Sequence, residues 1–316
     1  MVQVVLIGIG AGAATALLFA SVASGSLFAV LLFYLAPLPI LIAALGWSHW
    51  AALIAAVVAS GGLAAVFGPF LFLAFLIGIG LPAWWLGYLA LLARPTGQPP
   101  PNDMEWYPVG HLVVWCAIVG AFVVIAAIVG MGLGDEGFRG ALRRGLERMI
   151  RMRAPAQPAP DLNRLLDFLV LALPAAAAVL TTITNVINLW LAARVVEISG
   201  GMNRPRPDLA AMQFPSYAPL LTAAAVAGSF LPGVIGTAAG VLGAALLMAY
   251  AILGFAVLHH ITRGMRGRLF LLGGAYIAIL VLGWTLLLMM LLGIADTFLD
   301  IRGRVARRRG PPRPGT

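Results

Sequence analysis

The first charged side chain in this chain is Arg94. Ahead of it, apolar runs follow one another with only short polar breaks, and a chain built this way has no charged surface with which to cover a water-soluble core. Each run approaches the roughly 20 apolar residues that a helix needs to cross a hydrocarbon layer about 30 Å thick. The pattern persists to the end, giving candidate spans Val2–Val22, Leu27–Leu45, Ala51–Phe67, Leu71–Leu92, Val109–Met131, Leu165–Val196, Ala218–Leu231, Val234–His260 and Phe270–Ile294. The expected fold class is therefore all-α, a polytopic transmembrane helical bundle of eight or nine spans, the count turning on Ala218–Leu231. That run is short and ends at Pro232-Gly233, as a re-entrant or broken helix would.

With 62% hydrophobic and 10% charged residues, the composition excludes both an ordinary soluble domain and a disordered chain. The amino terminus lacks the basic region of a secretory signal peptide, so the first run is expected to persist as a span. All 20 basic residues are arginine. A chain without lysine can build neither a Walker-A phosphate loop nor a Schiff base. The arginines sit in short segments between apolar runs, where they set topology and meet lipid headgroups, so the bilayer is the expected partner and nucleic acid is not. Seven arginines between Gly132 and Arg164 and six after Ala295 place both segments on the cytoplasmic side by the positive-inside rule, at the cost of Arg263, Arg266 and Arg268 facing outward. Cys116 is the single cysteine, so no disulfide within the chain and no CxxC metal site can form.

The chain divides into an amino-terminal bundle (1–131), an amphipathic helix with its linker (132–164), a carboxyl-terminal bundle (165–295) and a basic cytoplasmic tail (296–316). Within the second segment, Phe138, Leu142, Leu146, Met149 and Ile150 form one helical stripe with arginines filling the rest. This predicts one helix lying in the membrane interface, capped by Asp135 and stopped by Pro155, either as an anchor or as a docking surface. Pro95–Pro108 reads as a proline-rich loop with Trp106 and Tyr107 at headgroup level; 154–160 reads as a second linker and 310–316 as a frayed tail.

Three polar or small-residue sets stand out. Gly8, Gly12, Ala16 and Ala20 recur at every fourth position, forming a smooth ridge on the first helix for internal packing or for a membrane partner subunit. A shorter ridge is Gly236, Gly240, Ala244. Thr181, Thr184, Asn185 and Asn188 share one helix face. Amides are costly in hydrocarbon, so this face must look inward, as interhelical hydrogen-bond glue or as a wall contacting a small-molecule ligand. Arg194 and Glu197 pair at i, i+3 near the helix end. Asp296 and Asp300 are i, i+4 neighbours at the end of the last span, close to Arg302 and Arg304. Carboxylates at a helix carboxyl end need cationic partners, which makes Arg194, Asp296, Asp300 and Arg302 a candidate interfacial clasp, with a proton or ligand relay as the alternative. His259 and His260 point about 100° apart and make a poor metal pair. No HExxH, GxSxG or EF-hand pattern occurs, so neither an enzyme nor a metal or cofactor site is expected.

The order of these features resembles the YybS-like bacterial membrane proteins. The likeness is carried by Asn188 and Arg194, by Phe214-Pro215, by the run Leu253 to His259, and by the spacing Gly293, Asp296, Asp300, Arg302. That family is in turn distantly similar to the S components of energy-coupling-factor vitamin transporters, in which small residues on the first helix dock a membrane partner. The resemblance implies that Ala16 and Ala20 would hold those positions here, and it implies a binding or transport fold without naming a substrate. The resulting expectation is a transporter-like subunit that binds a small or amphipathic ligand and has no ATPase of its own; the alternative is a membrane scaffold or envelope assembly factor.

Overall fold

The computed structural model describes residues 1–99, 104–132, 135–153, 159–202 and 204–309. It is built from helices. Helix α1 (Val2–Ala20) runs into a 3-10 turn at Ser21–Ser24, and α2 (Leu27–Tyr34) and α3 (Leu38–Gly46) form one span broken around Pro37. Helix α4 (His49–Phe67) follows, then α5 (Phe70–Phe75), a π turn at Leu76–Gly80, and α6 (Leu81–Ala90). The widened turn has a local cause: Pro82 lacks the N–H that the carbonyl one turn earlier would otherwise accept. Ser26 and Ser48 cap α2 and α4, accepting the backbone N–H of Ala29 at 3.1 Å and of Ala51 at 3.3 Å.

The proline-rich segment after α6 contributes a short antiparallel strand pair, β1 (Ala93–Pro95) with β2 (Met104–Trp106), across which Arg94 pairs with Glu105 at 2.6 Å. Beyond it come α7 (Val109–Met131), α8 (Asp135–Arg153) and α9 (Ala159–Ile198), the last containing Pro174. The chain continues through α10 (Ala218–Gly228), α11 (Gly233–Ile261), α12 (Arg268–Leu282), α13 (Leu286–Leu299) and α14 (Ile301–Arg309).

Among the described residues, seven helical stretches are long and apolar enough to cross a membrane, and α10, α12 and α13 are shorter apolar helices. At 1.5 Å per residue, the 11 residues of α10 reach only about half-way across the hydrocarbon, in keeping with the broken helix expected there. The expected ninth span, Phe270–Ile294, is not one helix. Gly283, at φ +58, ends α12 and separates it from α13. A left-handed backbone cannot continue an α-helix, and only glycine adopts it without strain.

Two buried clusters share a spine. Val113, Val114, Ala117 and Ala121 of α7 and Ala178 of α9 pack with Val241, Ala245, Leu246 and Leu253 of α11. Leu112 and Cys116 of α7 and Ala192 and Val196 of α9 pack with Ile40 and Leu41 of α3, Ala55 and Ala56 of α4 and Leu86 of α6. So α7 and α9 join the two halves of the bundle. The apolar stripe of α8 is partly covered by protein: Leu146 lies against Leu162 and Leu166 of α9, and Phe138 joins the α7–α11 cluster, while Met149 stays exposed. Arg143 binds Asp167 and Asn163 of α9, and Arg151 pairs with Glu147 on α8 itself at 2.7 Å. The side chain of Asp135, Pro155 and the 310–316 tail lie outside the described residues.

Candidate functional site

The polar face of α9 looks into protein, not lipid. Asn188 is 1% exposed, and its Nδ2 donates to the carbonyls of Tyr34 and Thr184, both at 2.9 Å. The Tyr34 carbonyl is free for a physical reason. At the α2–α3 break the N–H of Leu38 turns to Leu35 at 3.0 Å, so Tyr34 loses its own helical partner. Asn185 donates to the carbonyl of Cys116 on α7 at 3.2 Å. Thr181 and Thr184 are only half-buried, and the hydroxyl of Thr181 returns to its own helix at Ala177. The neighbouring Thr182 is the fully buried threonine, bonded to Ala178. The bonds of Asn188 to Tyr34 and of Asn185 to Cys116 join α9 to α2 and α7, while the threonine hydroxyls bond within α9.

Beside this face, from Val186 to Glu197 of α9, lies a cavity of about 740 Å³, and none of Thr181, Thr184, Asn185 and Asn188 lines it. Its body is aliphatic and aromatic: Leu112 and Val113 of α7, Val186 and Leu189 of α9, Ile252 and Phe255 of α11. Its rim is charged: Arg194 and Glu197 at the end of α9, Arg204, Arg206 and Asp208 in the following loop, and Arg263 and Arg268 beyond α11. A volume in the range of small-molecule sites, about 300–1,000 Å³, with an apolar body and a polar rim suits an amphipathic occupant.

The loop between α9 and α10 closes one side of this cavity through Met202, Leu209, Ala210 and Met212, and three arginines fasten it. Arg204 donates to the carbonyl of Ala90, at the end of α6, at 3.2 Å and to that of Tyr107, just before α7, at 2.8 Å. Burial pulls its pKa down, because the charged form gives up water there. Arg263 grips Asp208 with both terminal nitrogens, at 2.9 and 2.5 Å, while Asp208 also accepts the Ala210 N–H at 3.0 Å. Arg302 donates to the carbonyls of Ala210 at 3.0 Å and Met212 at 2.8 Å.

Arg302 reaches the loop because Asp296 holds it. Asp296 accepts the Nε of Arg302 at 2.8 Å and its backbone N–H at 3.0 Å, with side chains 5% and 11% exposed respectively. Asp300 makes this possible by taking a left-handed conformation, φ +45, that ends α13 and turns the chain into α14. Its carboxylate caps α14 by accepting the Gly303 N–H at 3.1 Å and pairs with Arg307 at 3.2 Å. The expected clasp is therefore split. Asp296 and Arg302 form it, Asp300 serves the turn, and Arg194 stays with Glu197 at 2.7 Å, one turn along α9.

The small-residue ridge of α1 is turned toward α4. A Cβ at Gly8 would lie 2.7 Å from the Ile54 side chain and 2.9 Å from the Ala51 carbonyl; one at Gly12 would lie 2.7 Å from the Ala55 carbonyl. Ala16 and Ala20 pack against the cluster of Ala59, Leu63 and Phe75. Gly8 and Gly12 are buried in this contact, whereas Ala16 and Ala20 stay half-buried.

Asp208 supplies a pH dependence. Its hydrogen bond with Arg263 holds the carboxyl below the usual aspartate range. The stability this contributes is present above the unfolded pKa of about 3.9 and lost as pH falls through the lower folded value. Thermal unfolding of wild type and Asp208→Asn should differ at neutral pH and converge at acid pH; both partners are about half-exposed, so the difference should be small.

The loop Arg204-Pro205-Arg206-Pro207-Asp208, which lines the cavity, is the element that sequence reasoning missed. Its signal was available: alternating prolines hold the backbone extended and leave polar side chains committed between two spans. Compared with known proteins, the chain matches the family model "Predicted membrane protein (DUF2232)" over residues 13–297. No curated protein and no solved structure matches it.

Proposed function

We propose, from the premise that the chain belongs to the DUF2232 family of predicted membrane proteins, that this multi-pass membrane protein binds an amphipathic ligand in the cavity between α7, α9 and α11. It works as a transporter-like binding subunit of the bacterial inner membrane, with no catalytic step and no ATPase of its own. The observation that carries the reading is the pairing of an aliphatic body with a charged rim in one cavity of about 740 Å³. The likeness to the YybS-like proteins, and through them to S components, points the same way. The segments that carry it lie around this cavity and its clamp: Phe214 contacts Tyr250 with ring centroids 5.2 Å apart, Phe255 and His259 line the wall, and Asp296 positions Arg302.

The test is native mass spectrometry of the full chain extracted with its own lipids. Wild type should retain a bound amphiphile. Ala193→Phe, which fills the cavity from α9, should lose it while remaining folded, and Leu189→Trp should do the same. Equal retention by wild type and both filled variants would sink the reading. A scaffold role stays as the second reading, because Arg139, Arg144 and Arg148 leave α8 with an exposed cationic face. It predicts that replacing Arg143, Arg144 and Arg148 by glutamine abolishes cellular function while the filled cavity is silent.

A further inference from the structure

We infer that the occupant of this cavity carries an anionic headgroup: it is a phosphate-bearing membrane lipid whose chain lies among the aliphatic walls and whose headgroup meets the arginine rim. This rests on the binding reading above and adds the sign of charge and the source of the ligand.

The rim holds five arginines, Arg194, Arg204, Arg206, Arg263 and Arg268, against the two carboxylates Glu197 and Asp208, which leaves three positive charges. They are unevenly satisfied. Asp208 is matched by Arg263, and Glu197 is divided between Arg194 at 2.7 Å and Arg206 at 3.7 Å. The two hydrogen bonds of Arg204 go to neutral carbonyls, so its charge is not cancelled. Arg268, exposed in the first turn of α12, makes no ion pair among the described residues. Unbalanced guanidiniums at the mouth of an apolar cavity disfavour a cationic or neutral headgroup, and their planar donors match two phosphate oxygens at once.

The walls argue for a lipid over a free anion. A phosphate ion can use the rim but gains nothing from Leu112, Val186, Leu189 or Ile252, whereas a chain-bearing molecule buries surface against all of them. The way in also faces the bilayer. Trp190 lines the cavity from the membrane-spanning α9 and is still 52% exposed.

The experiment reconstitutes the full chain in nanodiscs of equal parts phosphatidylglycerol and phosphatidylethanolamine and reads the lipids retained on release by native mass spectrometry. Each cationic side chain near a membrane surface contributes about fivefold to anionic lipid affinity. Wild type should therefore retain phosphatidylglycerol over phosphatidylethanolamine by at least about fivefold, and Arg268→Gln should cut that ratio by about fivefold, with Arg206→Gln acting likewise. Ala193→Phe should remove both lipids, and inorganic phosphate should not displace the bound one. Equal retention of the two lipids, unchanged by Arg268→Gln but still abolished by Ala193→Phe, overturns the headgroup inference and spares the cavity. Displacement by inorganic phosphate overturns the lipid source. Lipid retention insensitive to Ala193→Phe overturns the inference together with the binding reading.

Discussion

Arg302→Met should destabilise the protein more than any other single replacement of an arginine. The variant strands Asp296, 5% exposed on its side chain, as a buried carboxylate without its cation, and it removes the donors to the carbonyls of Ala210 and Met212. Breaking one side of a buried ion pair costs about 3–5 kcal/mol, far beyond the 0–1 kcal/mol of an exposed pair such as Arg94–Glu105. The asymmetry gives the control. Adding Asp296→Leu to Arg302→Met takes away the unpaired charge, so the double variant should regain part of the loss, short of about 1–3 kcal/mol for the two carbonyls left without donors and the backbone N–H of residue 302 left without its acceptor. Equilibrium unfolding in mixed micelles measures all three forms. A double variant no more stable than the single one would mean that the charge pair is not what holds α14 against the loop. Because Ala210 and Met212 line the cavity, ligand retention should fall with the single variant too.

The second large effect is expected where α11 and α13 cross. A Cβ on Gly254 would lie 1.8 Å from the Met289 carbonyl oxygen, and one on Gly293 would lie 2.1 Å from that of Tyr250. Both obstacles are backbone, so no rotamer change relieves them and the helices must part. Gly254→Val or Gly293→Val should therefore cost about 3 kcal/mol or more, the upper end of overpacking, and release α13 together with the clasp that it carries. Gly274→Ala on α12 is the contrast, since nothing lies within 4 Å of its added Cβ. It should be neutral or stabilising by up to about 1 kcal/mol, through helix propensity. Thermal unfolding of the three variants in one detergent compares them directly. A Gly293→Val protein that melts like Gly274→Ala would show that the close crossing does not form.

The helices were legible in the sequence because a bilayer leaves the chain little choice. Backbone groups in hydrocarbon must bond within their own segment, so composition alone turns an apolar run into a helix. The amides of Asn185 and Asn188 could be assigned to the interior for a similar reason: lipid offers them no partner. Their partners could not be read. The Tyr34 carbonyl is exposed by a helix break on a segment 154 positions away, and nothing local to Asn188 specifies it. Gly8 and Gly12 were legible as a packing ridge, but a smooth face fits a neighbouring helix of the same chain as well as one from another, and only the position of α4 distinguishes them.

The division for the whole protein follows the range of the forces. Hydropathy, small-residue spacing and capping residues act within a few turns, and they determined that the chain is a helical membrane bundle, where its long spans lie, and that Asp296 needed a cation. Which of the candidate arginines answers it, which loop that arginine fastens and where a cavity opens depend on side chains that meet only after α7, α9 and α11 have packed. Arg302 could be named beside Asp296 from the sequence, but Arg204 and Arg263 are ordinary interfacial arginines there; the tertiary structure alone makes all three the fastenings of one loop, because a guanidinium on a long stem commits to whichever carbonyl or carboxylate the packed helices leave within its reach.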